Sequence, residues 1–285
     1  MPRHPAIDLA AIRDRHPEHF DRLDRRRLLT ILTGAAAFVL LLFGMARLGF
    51  FGGTLFSGSL RLLEIVELML PPDPGSWAHA RTFGVALLET VAIAFLGTLS
   101  AAVLALPVAL LAARNVTAAR MVRFLSRRSL DTIRSVDILV WALIWINVVG
   151  LGPFAGALAI MTADIGSFGK LFSEAMEAAD RKPVEGIVST GGSHALGIRF
   201  GILPEVFPVL ASQVLYYFEA NTRSASIIGI VGAGGIGLHL AEAIRTLELQ
   251  QTSFIIVLIL IAVALIDFVS SQLRFAMIGR RGAMA

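Results

Sequence analysis

The sequence predicts an all-α polytopic membrane protein with about six transmembrane helices. Three observations carry this. Hydrophobic residues make up 56% of the 285 residues and charged residues only 16%, against about 25% in soluble domains, and the mean hydropathy is +0.75. The apolar residues come in long runs, several close to the ~20 residues that a helix needs to cross a bilayer; segments of about 10 alternating residues, the mark of a membrane β-barrel, are not seen. The basic residues flank those runs, as the positive-inside rule requires, and this placement argues against nucleic acid as a partner.

Residues 1–27 form a polar tail ending in Arg25-Arg26-Arg27. The tail is too long and too mixed for a signal peptide, so the first span, 28–46, is expected to stay uncleaved. Residues 47–82 read as an external interfacial segment. It holds an amphipathic stretch from Leu60 to Leu68 beside Glu64 and Glu67, the helix-ending run Pro71-Pro72-Asp73-Pro74, and Trp77 at a membrane-interface position. Span two covers 83–112, with Pro107 as a kink. A basic connector follows, with Arg114, Arg120, Arg123, Arg127 and Arg128. Span three is expected at 130–149 with polar first turns, then a tight turn Gly150-Leu-Gly-Pro153, then a short span four at 154–168 with Asp164 near its end. A polar island occupies 170–204. Span five runs 206–231, a glycine-rich turn 232–237 and an amphipathic stretch 238–252 follow, and span six covers 253–268. Residues 273–285 form a second polar tail that includes Arg274, Arg280 and Arg281.

Six spans put both termini on one side. The N-terminal tail, the connector through Arg134, the island and the C-terminal tail hold twenty of the 25 basic residues; only Arg47, Arg61, Arg81, Arg223 and Arg245 lie elsewhere. Both termini and the island are therefore expected on the cytoplasmic side.

Several chemistries are excluded by residue type. There is no cysteine, which removes disulfides and thiolate metal sites. The two lysines, Lys170 and Lys182, follow no GxxxxGK pattern, so the chain is not its own P-loop ATPase. His16 and His19 have helical metal-pair spacing but sit in a charged tail, and no metal site or cofactor is expected. Gly232-Ala-Gly-Gly-Ile-Gly237 matches GxGxxG, but a dinucleotide fingerprint needs a surrounding ~30-residue βαβ unit for which there is no room. It reads as a small-residue turn or close helix contact. Glu89, Thr90, Asn147 and Asp267 are expected in packing or end-of-span positions, and Trp141 and Trp145 in packing.

Glu219 and Arg223 stand at i and i+4 on span five, in the order that favours an ion pair. Two readings stay open. The pair neutralises itself for structural reasons, since intramembrane charges are expensive. Or, with Asn221, it lines a translocation pathway in which Arg223 offers an anion its planar fork of donors.

The island carries a family resemblance. Glu185, Gly191, Leu203 and Pro204 stand at the offsets of the EAA loop of binding-protein-dependent ABC importer permeases, although Gly186 and Ile187 replace the two alanines and Gly201 replaces an isoleucine. Glu-Gly-Ile, Ser-Thr-Gly and Ile-Arg-Phe-Gly-Ile-Leu-Pro in the island resemble the permease subunit of phosphonate importers in particular. So do 149–159, 169–177, and Glu219-Ala-Asn-Thr-Arg223 running into the glycine-rich turn. The likeness covers about 83–272, the expected permease core with a coupling loop at 170–204.

The resemblance implies a type I importer permease of a bacterial inner membrane. Its implied partners are a second permease copy (identical or a close paralogue), two ATP-binding subunits, an external solute-binding protein and membrane lipid. It implies no bond chemistry on this chain, cargo of the phosphonate or phosphite kind, and docking of the ATPase on Glu185, Gly186, Ile187, Gly191, Leu203 and Pro204. The rival reading is a proton-coupled secondary transporter using Glu89, Glu219 or Asp267, which predicts inverted repeats that are not detected. A scaffold protein without cargo is a third class.

Overall fold

A computed structural model describes residues 25–50 and 54–282; His16 and His19 lie outside them. The chain divides into two compact units, residues 1–66 and 67–285. In the first unit, helix α1 (Arg25–Arg47) covers the expected first span. Helix α2 (Thr54–Leu68) holds the amphipathic stretch and reaches the start of the second unit.

The second unit opens with α3 (Trp77–Ala112), which starts earlier than the expected 83. Ser76 sets this start: its hydroxyl accepts from the His79 N–H at 3.2 Å, satisfying one of the donors that every helix start leaves open. One face of α3 is a stripe of alanines, with Ala94, Ala101, Ala105, Ala109 and Ala112 fully buried. Small side chains let neighbouring backbones approach closely, and in lipid this close packing drives association.

The expected third span is broken in two. Helix α4 (Arg120–Arg134) and helix α5 (Ile138–Val149) meet at 87°. The break is a capping event: the Asp137 carboxylate accepts from the Leu139 N–H at 2.8 Å and starts a new helix. The polar residues expected in the first turns of span three therefore belong to a separate helix lying across it.

Helix α6 (Pro153–Ala178) corrects the expected span four of 154–168. It continues through Lys170, Glu174 and Glu177, which were placed in the polar island. Lys170 lies 3.8 Å from Asp131 of α4, and Glu177 accepts from Arg127 of α4 at 2.5 Å, so these two face α4 while Glu174 stays exposed. Helix α6 packs against α3, α4, α5 and α9, and being covered by protein it needs no lipid-like surface.

After α6 come α7 (Lys182–Ser189), α8 (His194–Gly197), one wide π-type turn (Ile198–Ile202) and α9 (Leu203–Ile230). Helices α10 (Ile236–Arg245) and α11 (Leu249–Gly282) complete the unit. Among the described residues, four helical runs are long and apolar enough to cross a membrane: 27–47, 77–112, 194–230 and 249–277. The bent α4–α5 pair makes a fifth. Helix α6, at about 1.5 Å per residue, has the length, but its glycines, Asp164 and Lys170 lower its hydropathy.

Three apolar clusters follow one another along α3. Phe83 and Ala86 meet Ile236, Ala243 and Ile255. Ile93 and Ala94 meet Ile160, Ala225 and Ile228. Ala101 to Ala113 meet Phe168, Phe172, Met176 and Leu210.

The glycine-rich turn 232–237 is the close contact its composition suggests. Gly152 N–H donates to Gly232 O at 3.0 Å, joining the two glycine turns. A Cβ on Gly237 would sit 2.9 Å from the Gly229 Cα. Gly237→Ala is therefore expected to separate α9 from α10 and destabilise the protein by about 1–3 kcal/mol, read as a lower thermal midpoint in detergent.

Candidate functional site

The island folds into a helix, a turn and the start of a long helix. Helix α7 carries Glu185, Gly186 and Ile187. Its end is built by backbone geometry: Gly191 N–H donates to Val188 O and Gly192 N–H to Ile187 O, both at 3.0 Å, with Gly191 at φ +84°. This is the paired terminal bonding in which glycine supplies the left-handed residue. Ser193 then caps α8, its hydroxyl accepting from the Leu196 N–H at 3.4 Å. The π-type turn leads to Leu203 and Pro204 at the first positions of α9. Proline has no N–H to give to the preceding turn, which fits the widened bonding just before it.

One contact joins the two arms. Val184 of α7 faces Gly197 and Gly201, where an added Cβ would come within 3.1 and 3.0 Å of its methyls. Gly201, the departure from the usual isoleucine, thus opens the space in which α7 packs. Asp180 N–H donates to the Glu205 carboxylate at 2.9 Å and fixes the connection from α6. Elsewhere α7 is uncovered: no residue in it is buried, Glu185, Gly186, Gly191 and Pro204 are exposed, and Ile187 and Leu203 are half-buried. A Cβ on Gly186 or Gly191 would meet nothing within 4 Å. Val188, Leu196 and Phe200 add exposed apolar surface nearby. The structure brings all six residues singled out in the island into this helix–turn–helix.

The three polar residues of α9 do not share one face. Glu219 is buried at 7% exposure and accepts from Arg223 at 3.1 Å, the pair expected from spacing. It also accepts from both Nη atoms of Arg274 at 3.2 Å. Arg274, on α11, was read as part of a polar tail; nothing in local spacing connects it to a residue 55 positions earlier. Arg223 keeps 52% of its side chain exposed, against 22% for Arg274.

Asn221 turns the other way. Its amide donates to Thr98 of α3 at 2.8 Å and to Asp164 of α6 at 2.5 Å. All three side chains are buried, so this bonding ties three helices together at one level. Asp164 was visible in the sequence as an acid at the end of an apolar run, but its partner was not. Asn221→Leu leaves a buried carboxylate without its amide donor, an expected loss of about 1–3 kcal/mol measurable as thermal destabilisation. Asp164→Leu in the same chain should restore part of it.

Glu89 and Thr90, expected in packing, hold the start of α10. Gly235 N–H donates to Glu89 at 3.2 Å and Ile236 N–H to the Thr90 hydroxyl at 2.8 Å. No group of three or more metal-ligating side chains exists among the described residues.

A bundle of long apolar helices with polar side chains inside it and one uncovered helix–turn–helix at an end has the form of a membrane transport subunit. The chain belongs to the family described as binding-protein-dependent transport system inner membrane component, whose model matches residues 105–280. Two permeases of Stutzerimonas stutzeri named for phosphite transport are similar to it. HtxC is 39% identical over 219 residues, 77% of each chain. PtxC is 34% identical over 221 residues, 78% of this chain and 79% of that one. Among solved structures, the MetNI methionine ABC transporter in an inward-facing conformation matches with a TM-score of 0.62 over 71% of this chain and 99% of that one. At 20% identity, that match speaks for the fold.

Proposed function

We propose that the chain is the membrane-spanning permease of an ATP-driven importer and moves phosphite or a related phosphorus oxyanion, such as a phosphonate, by alternating access. The observation that carries this reading is the exposed α7–Gly191 arm, which has no buried residue and packs on the turn before α9 through Val184, in a protein 39% identical to HtxC. An uncovered, internally rigid element suits a subunit that must receive force from outside.

In this reading ATP is hydrolysed on two separate subunits, an external binding protein delivers cargo, and a second permease copy, identical or paralogous, completes the pathway. This chain then makes and breaks no covalent bond. Glu185, Gly186, Ile187, Gly191, Leu203 and Pro204 form the docking surface. ATPase closure pushes on α7, and the Asp180–Glu205 bond passes the motion to α6 and α9. Arg223 faces the pathway, where Glu219 partly neutralises it and keeps it from trapping an anion; Asn221 supports the same helix from behind. The island and both termini lie in the cytoplasm.

The test is uptake of radiolabelled phosphite by proteoliposomes holding the permease, its ATPase subunits and binding protein. ATP-dependent uptake that survives a protonophore is expected. Uptake that collapses with the proton gradient and ignores loss of the ATPase would favour a secondary transporter instead.

A further inference from the structure

Helix α4 has its polar side turned inward. Leu130, 2% exposed, sits at its inner face with Arg127, which bonds Glu177 at 2.5 Å and the Ala112 carbonyl at 3.0 Å. Arg123 reaches the Thr117 carbonyl at 3.4 Å, and Asp131 lies 3.8 Å from Lys170. Charged side chains making these four contacts would ordinarily face water. The outward side exposes large apolar side chains, Met121 at 69%, Leu125 56%, Phe124 55% and Val122 40%, with the small polar Ser129 and Thr132 between them.

Cations border that apolar surface. Arg120, Phe124 and Arg128 recur every four residues and form one ridge. The Arg128 guanidinium lies 5.5 Å from the Phe124 ring centroid and 4.0 Å from the Asp131 carboxylate, and with 69% of its side chain exposed it keeps donors open to a further anion. The apolar helix α5 departs at 87°, so when α5 points into the bilayer α4 lies along its surface. An apolar stripe edged by arginine at that depth matches acyl chains below and phosphate headgroups above. A second copy of the chain laid on the same face would bring these arginines against their own equivalents, which is repulsive.

We propose that the outward face of α4 is a binding site for anionic phospholipid, with Met121, Phe124 and Leu125 in the acyl region and Arg120 and Arg128 on the headgroup phosphates. This rests on the chain being embedded in a membrane and is independent of its cargo and of ATPase docking.

The absence of cysteine makes a direct test available. Leu125→Cys carries a nitroxide at a single position in the full-length protein, reconstituted in nanodiscs of phosphatidylcholine with or without phosphatidylglycerol. The label is expected to collide with oxygen in preference to a water-soluble nickel chelate. Native mass spectrometry of detergent-purified protein should show phosphatidylglycerol retained over phosphatidylcholine. Arg120→Gln with Arg128→Gln should reduce that preference by about tenfold, while Arg245→Gln leaves it unchanged. A label reached by the nickel chelate as in water would overturn the proposal, as would an unchanged lipid preference in the double variant. Dipolar broadening between labels of two copies would also overturn it, by assigning the face to a permease–permease contact.

Discussion

Replacing Gly191 with aspartate is expected to abolish ATP-coupled uptake while the protein stays folded and inserted. Gly191 sits at φ +84° with open space around its Cα. Aspartate tolerates the left-handed region better than most residues, at a strain of about 1 kcal/mol, and both terminal hydrogen bonds of α7 use backbone groups that survive the change. That strain is small beside the 5–15 kcal/mol typical of a folded domain. Whatever the new carboxylate disturbs must then lie outside this chain. A charge forced unpaired into a docked interface costs roughly 2–5 kcal/mol, so coupling should fall at least thirtyfold. Gly191→Asn, similar in shape and without the charge, should retain more activity. Binding-protein-stimulated ATP hydrolysis and phosphite uptake, measured together with the amount of inserted protein, decide the matter. Normal uptake in the aspartate variant would remove the docking role from this turn.

The second large effect separates two arginines that hold the same acid. Arg274→Ala takes from Glu219 the partner that meets it with both Nη atoms and is itself mostly buried. An incompletely paired carboxylate between helices α9 and α11 is expected to destabilise the protein by roughly 2–4 kcal/mol. Arg223→Ala leaves the Arg274 contacts in place, so stability should change little, whereas uptake should drop about tenfold or more if Arg223 meets an anionic cargo through its fork of donors. Thermal midpoints and initial uptake rates of both variants give the comparison. Unchanged uptake in Arg223→Ala would make the pair purely structural, and equal stability losses would show that the exposed arginine shares the structural role.

Elements legible in the sequence were those whose causes are local. Runs of apolar residues placed α1, α3, α9 and α11, and the i, i+4 spacing of Glu219 and Arg223 predicted their ion pair. Family offsets singled out six island residues that the fold gathers into one exposed element. What failed to show depended on partners far along the chain. Lys170 and Glu177 look like loop residues until Asp131 and Arg127 are opposite them, so α6 was ended too early. The break before Ile138 had a local signal, Asp137 as a cap, but the apolar Ile133 and Val136 around it concealed the change of direction. Asn221 read as a neighbour of Arg223 because two residues along a sequence look close. On a helix they point nearly opposite ways, and only α3 and α6 show what the amide is for.

The turn that matches GxGxxG has its helix-start donors filled from within the chain. Backbone N–H groups at a helix start attract anions, and Gly235 and Ile236 present two of them at the head of α10. Glu89 and Thr90 already occupy both. Both donors are satisfied within the chain, so this turn presents no open N–H nest to an anion. The same two bonds secure α10 to α3, so the glycines that look like a binding motif serve as a helix-to-helix fastening.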